Sequence, residues 1–302
     1  MNRGLPNAAP RNGPAEAFFL PSAVGKRFCL YHPATGAARG AFIYVHPFAE
    51  EMNKCRRMAA LQSRALAQAG YGVLQIDLLG CGDSSGDFGD ARWEAWIDDL
   101  NRAWQWLAQK LAGPIGWWGM RIGALLALEA ARQHGAKHPE RRGPVLLWQP
   151  VISGEVFMTQ FLRMRVASDM LGNGAATSAT SAADGSPVKP TGTQAMRAAM
   201  AAGESLEVGG YELAPALVAA IDSLRLAKLG LNGVPVHWFE VVADAERALP
   251  PAAATAEAAL RAAGVELHLH RAVGPAFWTS QEVVDCPGLL TATTAFDAMA
   301  TA

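Results

Sequence analysis

Long apolar runs, a surplus of charge of one sign and paired cysteines are what this chain has least of. No uninterrupted apolar stretch approaches the ~18 residues of a membrane-crossing helix. The N-terminal stretch MNRGLPNAAPRNGPAEAFF lacks the apolar core of a signal peptide. Both absences point to a cytoplasmic protein. Lys plus Arg number 26 against 27 for Asp plus Glu, a net charge of −1, so there is no basic surplus to neutralise phosphates and nucleic acid is not an expected partner. The four cysteines, Cys29, Cys55, Cys81 and Cys286, form neither a disulfide framework nor a C-x-x-C zinc pair. His46 and Glu50 flank a turn rather than share one helical face, and no third ligand accompanies them. Neither a metal nor a cofactor is therefore expected. Charged residues are only 18% of the chain and hydrophobic ones 51%, which excludes a disordered chain and a coiled coil.

What is present is alternation. Short β-rich runs at 27–32, 41–46, 72–77, 115–118, 145–148, 234–241 and 265–270 are separated by helix-length stretches. In 54–69 the apolar residues Met58, Leu61, Ala65 and Leu66 recur at helical spacing, and in 93–109 Trp93, Ile97, Leu100, Trp104 and Leu107 do the same. Residues 121–133 are apolar on nearly every face, as a helix against a sheet centre would be. The pattern predicts an α/β fold with a mostly parallel sheet and helices on both faces. It divides the chain into a flexible segment 1–24, a core made of 25–150 and 231–302, and a helical insertion 151–230 resembling a lid. That insertion carries predicted helices at 156–170, 193–202 and 213–229 around a loop at 172–192 rich in Gly, Ser, Thr and Pro.

Most of the functional information lies in Gly119-Met120-Arg121-Ile122-Gly123, where a strand runs through G-x-X-x-G directly into a helix. This is the pattern of a nucleophile elbow, a turn too tight for side chains at its flanking positions. Its centre, however, is Arg121, where Ser, Cys or Asp would stand. The strand 41–46 ends in His46-Pro47-Phe48, the place of an oxyanion-hole turn. The strand 72–77 runs into a D-x-x-G-x-G-x-S-x-G turn at 77–86. Asp244, with Glu246 nearby, stands where an α/β-hydrolase would carry its triad acid, and Gly274-Pro275-Ala276-Phe277-Trp278 where it would carry its catalytic His.

In order and spacing, these pieces resemble the α/β-hydrolase superfamily over roughly residues 25–300. Within it they most closely resemble the family called exosortase A system-associated hydrolase 2. That resemblance rests on HPFAEEMNK at 46–54, the 77–86 turn, the Gly-x-Arg-x-Gly elbow and Pro275-Ala276-Phe277-Trp278 with Gln281-Glu282. It implies a bacterial hydrolase acting beside exopolysaccharide production and the sorting of proteins with PEP-type C-terminal signals.

The residues themselves restrict the chemistry. A guanidinium stays protonated, only donates and has no usable lone pair, so Arg121 cannot attack an acyl carbon. The ordinary Ser-His-acid mechanism is excluded on this reading. Two functions follow. One is a divergent hydrolase of an ester, amide or acylated saccharide, with Glu50 or Glu51 as base toward water and Arg121 holding the substrate. The other is an inactive hydrolase fold that binds an anionic small molecule or a partner at Arg121, beside the backbone N–H groups of Phe48 and Ile122. In either case Arg121 is expected to pair with Glu50 or Glu51. His46 is expected to shape the oxyanion loop, and Trp118, Phe277 and Trp278 to wall a pocket that stacks on a sugar or apolar chain. Cys81, in its glycine turn, is the alternative nucleophile, given a cation such as Arg121 to lower its pKa. Oligomeric state is left open.

Overall fold

The computed structural model describes residues 13–174 and 192–296, with 165–174 as backbone. Eight strands form one sheet: β1 (Glu16–Pro21), β2 (Lys26–His32), β3 (Gly40–Val45), β4 (Tyr71–Ile76), β5 (Ile115–Met120), β6 (Arg142–Trp148), β9 (Val236–Val242) and β10 (Leu267–Val273). Their order is β1-β2-β4-β3-β5-β6-β9-β10. β2 is antiparallel to both of its neighbours, β1 and β4, and the six strands from β4 to β10 in that order are mutually parallel. The inner strands β3 and β5 are buried at every position, which is why they read as continuous apolar runs rather than alternating ones.

The two-residue period of a strand divides the core into two layers. Ile43, Val45, Trp117, Leu147 and Trp238 face helices α2 (Trp93–Lys110), α3 (Ile122–Lys137) and α7 (Pro251–Ala262). Phe42, Tyr44, Trp118, Leu146, Trp148 and Phe239 face α1 (Glu50–Gln68) and α8 (Pro287–Thr294). Between β6 and β9 the chain inserts α4 (Gly154–Gly174), α5 (Thr193–Ala201), the hairpin β7 (Leu206–Val208) and β8 (Tyr211–Leu213), and α6 (Pro215–Ser223). Arg197 on α5 donates to the Asp222 carboxylate on α6 and to the Glu155 carbonyl on α4, tying these elements together. The architecture is the α/β-hydrolase fold.

Several predicted elements change in detail. The segment 1–24 is not wholly flexible: residues 16–21 form β1, because Phe18 stacks on Trp106 at 4.6 Å and Ser22 Oγ donates to Asp99. Residues 1–12 lie outside those described. The helix predicted over 213–229 breaks after Ser223, where Leu224 turns extended. There Leu224 accepts from Gly154 N and Leu226 N donates to Ile152. The loop predicted at 172–192 falls mostly outside the described residues, its first three residues ending the backbone of α4.

Candidate functional site

Among the described residues three that are not glycine have positive φ, namely Ala49, Arg121 and Gln149, and each follows the C-terminal end of an inner parallel strand. Such conformations are costly for L-residues and cluster at functional sites. Arg121, at φ 57° and ψ −121°, caps α3 immediately after β5. Its N–H donates to the Trp148 carbonyl at 2.9 Å, and its carbonyl accepts from Ala124 and Val151. The flanking glycines are required sterically. A Cβ on Gly119 would strike the Ala124 backbone, and one on Gly123 the carbonyls of Val45 and His46. The predicted elbow is therefore formed, and it carries the arginine.

The Arg121 side chain donates from Nε to both Glu51 oxygens, at 3.2 and 3.4 Å. Its guanidinium lies 5.4 Å from the Trp278 ring centroid and 6.0 Å from that of Phe157. Of the two candidate acids, Glu51 is the partner; Glu50 is 60% exposed and pairs with Lys54 at 3.2 Å. Burial pushes the Glu51 carboxyl above the usual range, against the opposing pull of Arg121.

Arg121 borders two cavities. One, of about 240 Å³, is walled mainly by Phe48, Phe161, Met164 and Trp278, with Glu51 at the Arg121 end. The other, of about 360 Å³, presents Gln149, Ser153, Gln160 and Glu240. Phe157 and Gln160 of α4 line both. Glu240 is 4% exposed, and its two oxygens accept from Gln149 Nε2 and Trp238 Nε1, each at 2.9 Å. Burial raises its carboxyl pKa, while these donors and the Arg121 charge pull the other way. Gln149 is itself fixed, because its Oε1 accepts from Val241 N at 2.7 Å. The sequence reading missed both residues. The available signal was a single acid inside the apolar strand Val-His-Trp-Phe-Glu-Val-Val.

The remaining predicted residues are distributed as follows. Phe48 is buried, with edge contacts to Phe157 and Phe161 at 5.7 and 5.1 Å. Ile122 is buried at the first turn of α3. The His46 Nδ1 pairs with the Pro47 carbonyl and its Nε2 accepts from Leu78 N, so both ring nitrogens are engaged, and burial lowers its pKa. Trp118 is fully buried between Tyr44 and Trp148, and Phe277 packs between Trp148 and Trp278; neither wall position expected for them is realised. Asp244 is exposed in the turn after β9, where its Oδ1 accepts from Glu246 N at 3.0 Å. Cys81 is buried, and desolvation together with Asp77 and Asp99 pushes its thiol up, the opposite of activation. Among the described residues no cluster of His, Cys, Asp and Glu is arranged to hold a metal, and no helix is long and apolar enough to cross a membrane.

The family model of serine aminopeptidase, S33 (Hydrolase_4), matches residues 36–205. The chain belongs to this family. The match runs from β3 through the elbow and into the insertion, so it covers Arg121 and Glu51 but stops before Glu240. A search of curated proteins finds no match. Among solved structures, the fold is similar to that of Est1E from Butyrivibrio proteoclasticus with bound ferulic acid. That comparison has a TM-score of 0.61 and 16% identity over 94% of this chain and 99% of the other. A soluble variant of monoglyceride lipase from Saccharomyces cerevisiae with a substrate analogue gives 0.60 and 15% over 97% of each chain. The α/β hydrolase GrgF from Penicillium sp. sh18 gives 0.59 and 17% over 94% and 97%.

Proposed function

We propose that this member of the family is a ligand-binding protein on a hydrolase fold, whose elbow arginine holds the anionic group of a small molecule. On this reading the Ser-His pair of acyl transfer is absent: Arg121 fills the elbow and Trp278 faces it. The observation that carries the proposal is the way the guanidinium is held. Glu51 takes Nε, and no described residue hydrogen-bonds the two terminal nitrogens, while the side chain borders both cavities. Two parallel N–H donors on a fixed arginine match a carboxylate. A place beside bacterial exopolysaccharide production is supported by the resemblance of His46–Lys54 and its companion motifs to the exosortase-associated family.

The test is calorimetric binding of 3-phenylpropanoate, a carboxylate with an aromatic body sized for the smaller cavity, to wild type and Arg121→Gln. Binding by wild type that weakens at least tenfold in the variant supports the reading. Binding indifferent to Arg121 overturns it, and so does failure of both this probe and its hydroxyl- and ammonium-bearing analogues to bind.

A second reading is favoured by Glu51, whose carboxyl burial raises above the usual range against the pull of Arg121, the direction of shift that a general base needs. As a hydrolase of an ester, amide or acylated saccharide, the protein would use Glu51 to activate water and Arg121 to polarise the acyl oxygen. Turnover of an acyl-ester panel, abolished in Glu51→Gln and unaccompanied by fluorophosphonate labelling, would put this reading ahead.

A further inference from the structure

Glu240 has no part in holding Arg121 directly, yet it is a nearly fully buried carboxylate at the edge of the larger cavity. Desolvating a carboxylate is expensive unless its oxygens are well satisfied. A carboxylate has about four acceptor positions, and here two are taken, one per oxygen, by Gln149 and Trp238. One donor follows the end of β6 and the other lies within β9 two residues before Glu240, and the Gln149 amide is anchored by the Val241 N–H, so the carboxylate is held in one orientation.

The local charge count adds a second constraint. Arg121 contributes one positive charge near the carboxylates of Glu51 and Glu240, both of which feel it. A ligand that is only an anion would bring a third negative group to a single guanidinium. A ligand that also carries a hydrogen-bond donor would offset that charge at Glu240.

We infer that Glu240 is a specificity-determining residue of this site, selecting ligands that carry a hydroxyl or ammonium donor together with the anionic group read by Arg121. The inference rests on the carboxylate-binding reading above. The aromatic or aliphatic body of such a ligand occupies the cavity of Phe48, Phe161, Met164 and Trp278, and its donor-bearing end faces Glu240, Gln149 and Ser153.

The experiment compares 3-phenylpropanoate, which has no donor, with 2-hydroxy-3-phenylpropanoate, 3-hydroxy-3-phenylpropanoate and phenylalanine by calorimetry on the full chain. At least one donor-bearing probe is expected to bind tenfold or more tightly than 3-phenylpropanoate. A hydroxyl preference and an ammonium preference are separated by which probe gains. In Glu240→Gln the advantage of the preferred probe is expected to fall to threefold or less, while 3-phenylpropanoate binds equally well or better. Equal binding of all four probes to wild type overturns the inference without needing a folded variant, and so does an advantage that survives in Glu240→Gln. Arg121-dependent binding without donor preference removes only this inference. Failure of every probe removes the carboxylate reading and this inference with it.

Discussion

Ala49 and Arg121 hold nearly the same uncommon backbone conformation, φ 49° and ψ −127° at the first, φ 57° and ψ −121° at the second. Each caps a helix that leaves a parallel strand, and the two strands, β3 and β5, are hydrogen-bonded neighbours. The elbow geometry is thus present twice, side by side, once bearing a methyl group and once a guanidinium. Positive φ tolerates glycine and is hardest on β-branched residues. Ala49→Gly should stay within about 1 kcal/mol of wild type, and Ala49→Val should lose about 2–4 kcal/mol through strain and crowding. Urea denaturation of the two variants settles it; equal stability would mean that the conformation relaxes freely.

The buried pair of Arg27 and Asp99 joins three parts of the fold. Asp99 on α2 accepts from Arg27 Nε on β2 at 2.7 Å, from Leu79 N in the glycine turn at 2.8 Å and from Ser22 Oγ at 3.2 Å. Removing one member of such a pair leaves the other charge stranded in the interior. Asp99→Ala should therefore destabilise the protein by about 3–5 kcal/mol. Ser22→Ala, which deletes only the weakest of the three bonds, should cost about 1 kcal/mol or less. Comparable losses in the two variants, measured in one denaturation series, would contradict a central role for the ion pair.

Acid should weaken the fold through its buried imidazoles. His134 stacks on Trp104, neither ring nitrogen has a hydrogen-bond partner among the described residues, and burial lowers its pKa from 6.5 to about 4. His237, beside His268 and His270, is lowered to about 3. Between those values and 6.5 the unfolded chain takes up protons that the folded chain refuses. Stability is then fully present above about pH 6.5 and falls as the pH drops toward 4 and then 3. The carboxyls of Glu51 and Glu240, raised by burial, act with the opposite sign, favouring the fold below their unfolded values. His134→Leu should lower the loss between pH 6.5 and pH 4 by about 3 kcal/mol at most. Parallel stability profiles for wild type and variant would show that His134 does not contribute to it.

All four cysteines are free and buried. Burial pushes Cys29 up to about 12 and raises Cys55, Cys81 and Cys286 as well. A thiol reacts through its thiolate. Ellman's reagent at pH 8 should find no rapidly reacting thiol in the native protein and all four in denaturant. A fast native thiol that disappears in Cys81→Ser would restore Cys81 as a nucleophile.

The sequence disclosed the frame of the molecule because its signals are local. The elbow glycines, the His46-Pro47-Phe48 turn and the glycine turn after β4 are tied to strand ends by chain connectivity, and they stand where the pattern put them. Whether Glu50 or Glu51 meets Arg121 depends on a rotation of about 100° along α1, which follows once the helix start is known. Of the expected aromatic wall Trp278 lines the smaller cavity, while Trp118 does not, for a different reason. β5 is packed on both faces, so Trp118 goes to the interior whichever way it points. Glu240 and Gln149 escaped notice because their meaning lies in a contact across 91 residues of sequence. The strand β1 escaped because its apolar partner, Trp106, lies on a later helix.

Phe157 and Gln160 sit three residues apart on α4, and each forms part of the wall of both cavities. A substitution at either position reshapes the two chambers together, whereas one at Trp278 or at Glu240 touches a single chamber. One turn of α4 is therefore where changes to the two chambers are coupled, and the walls beyond it are where they can be made separately.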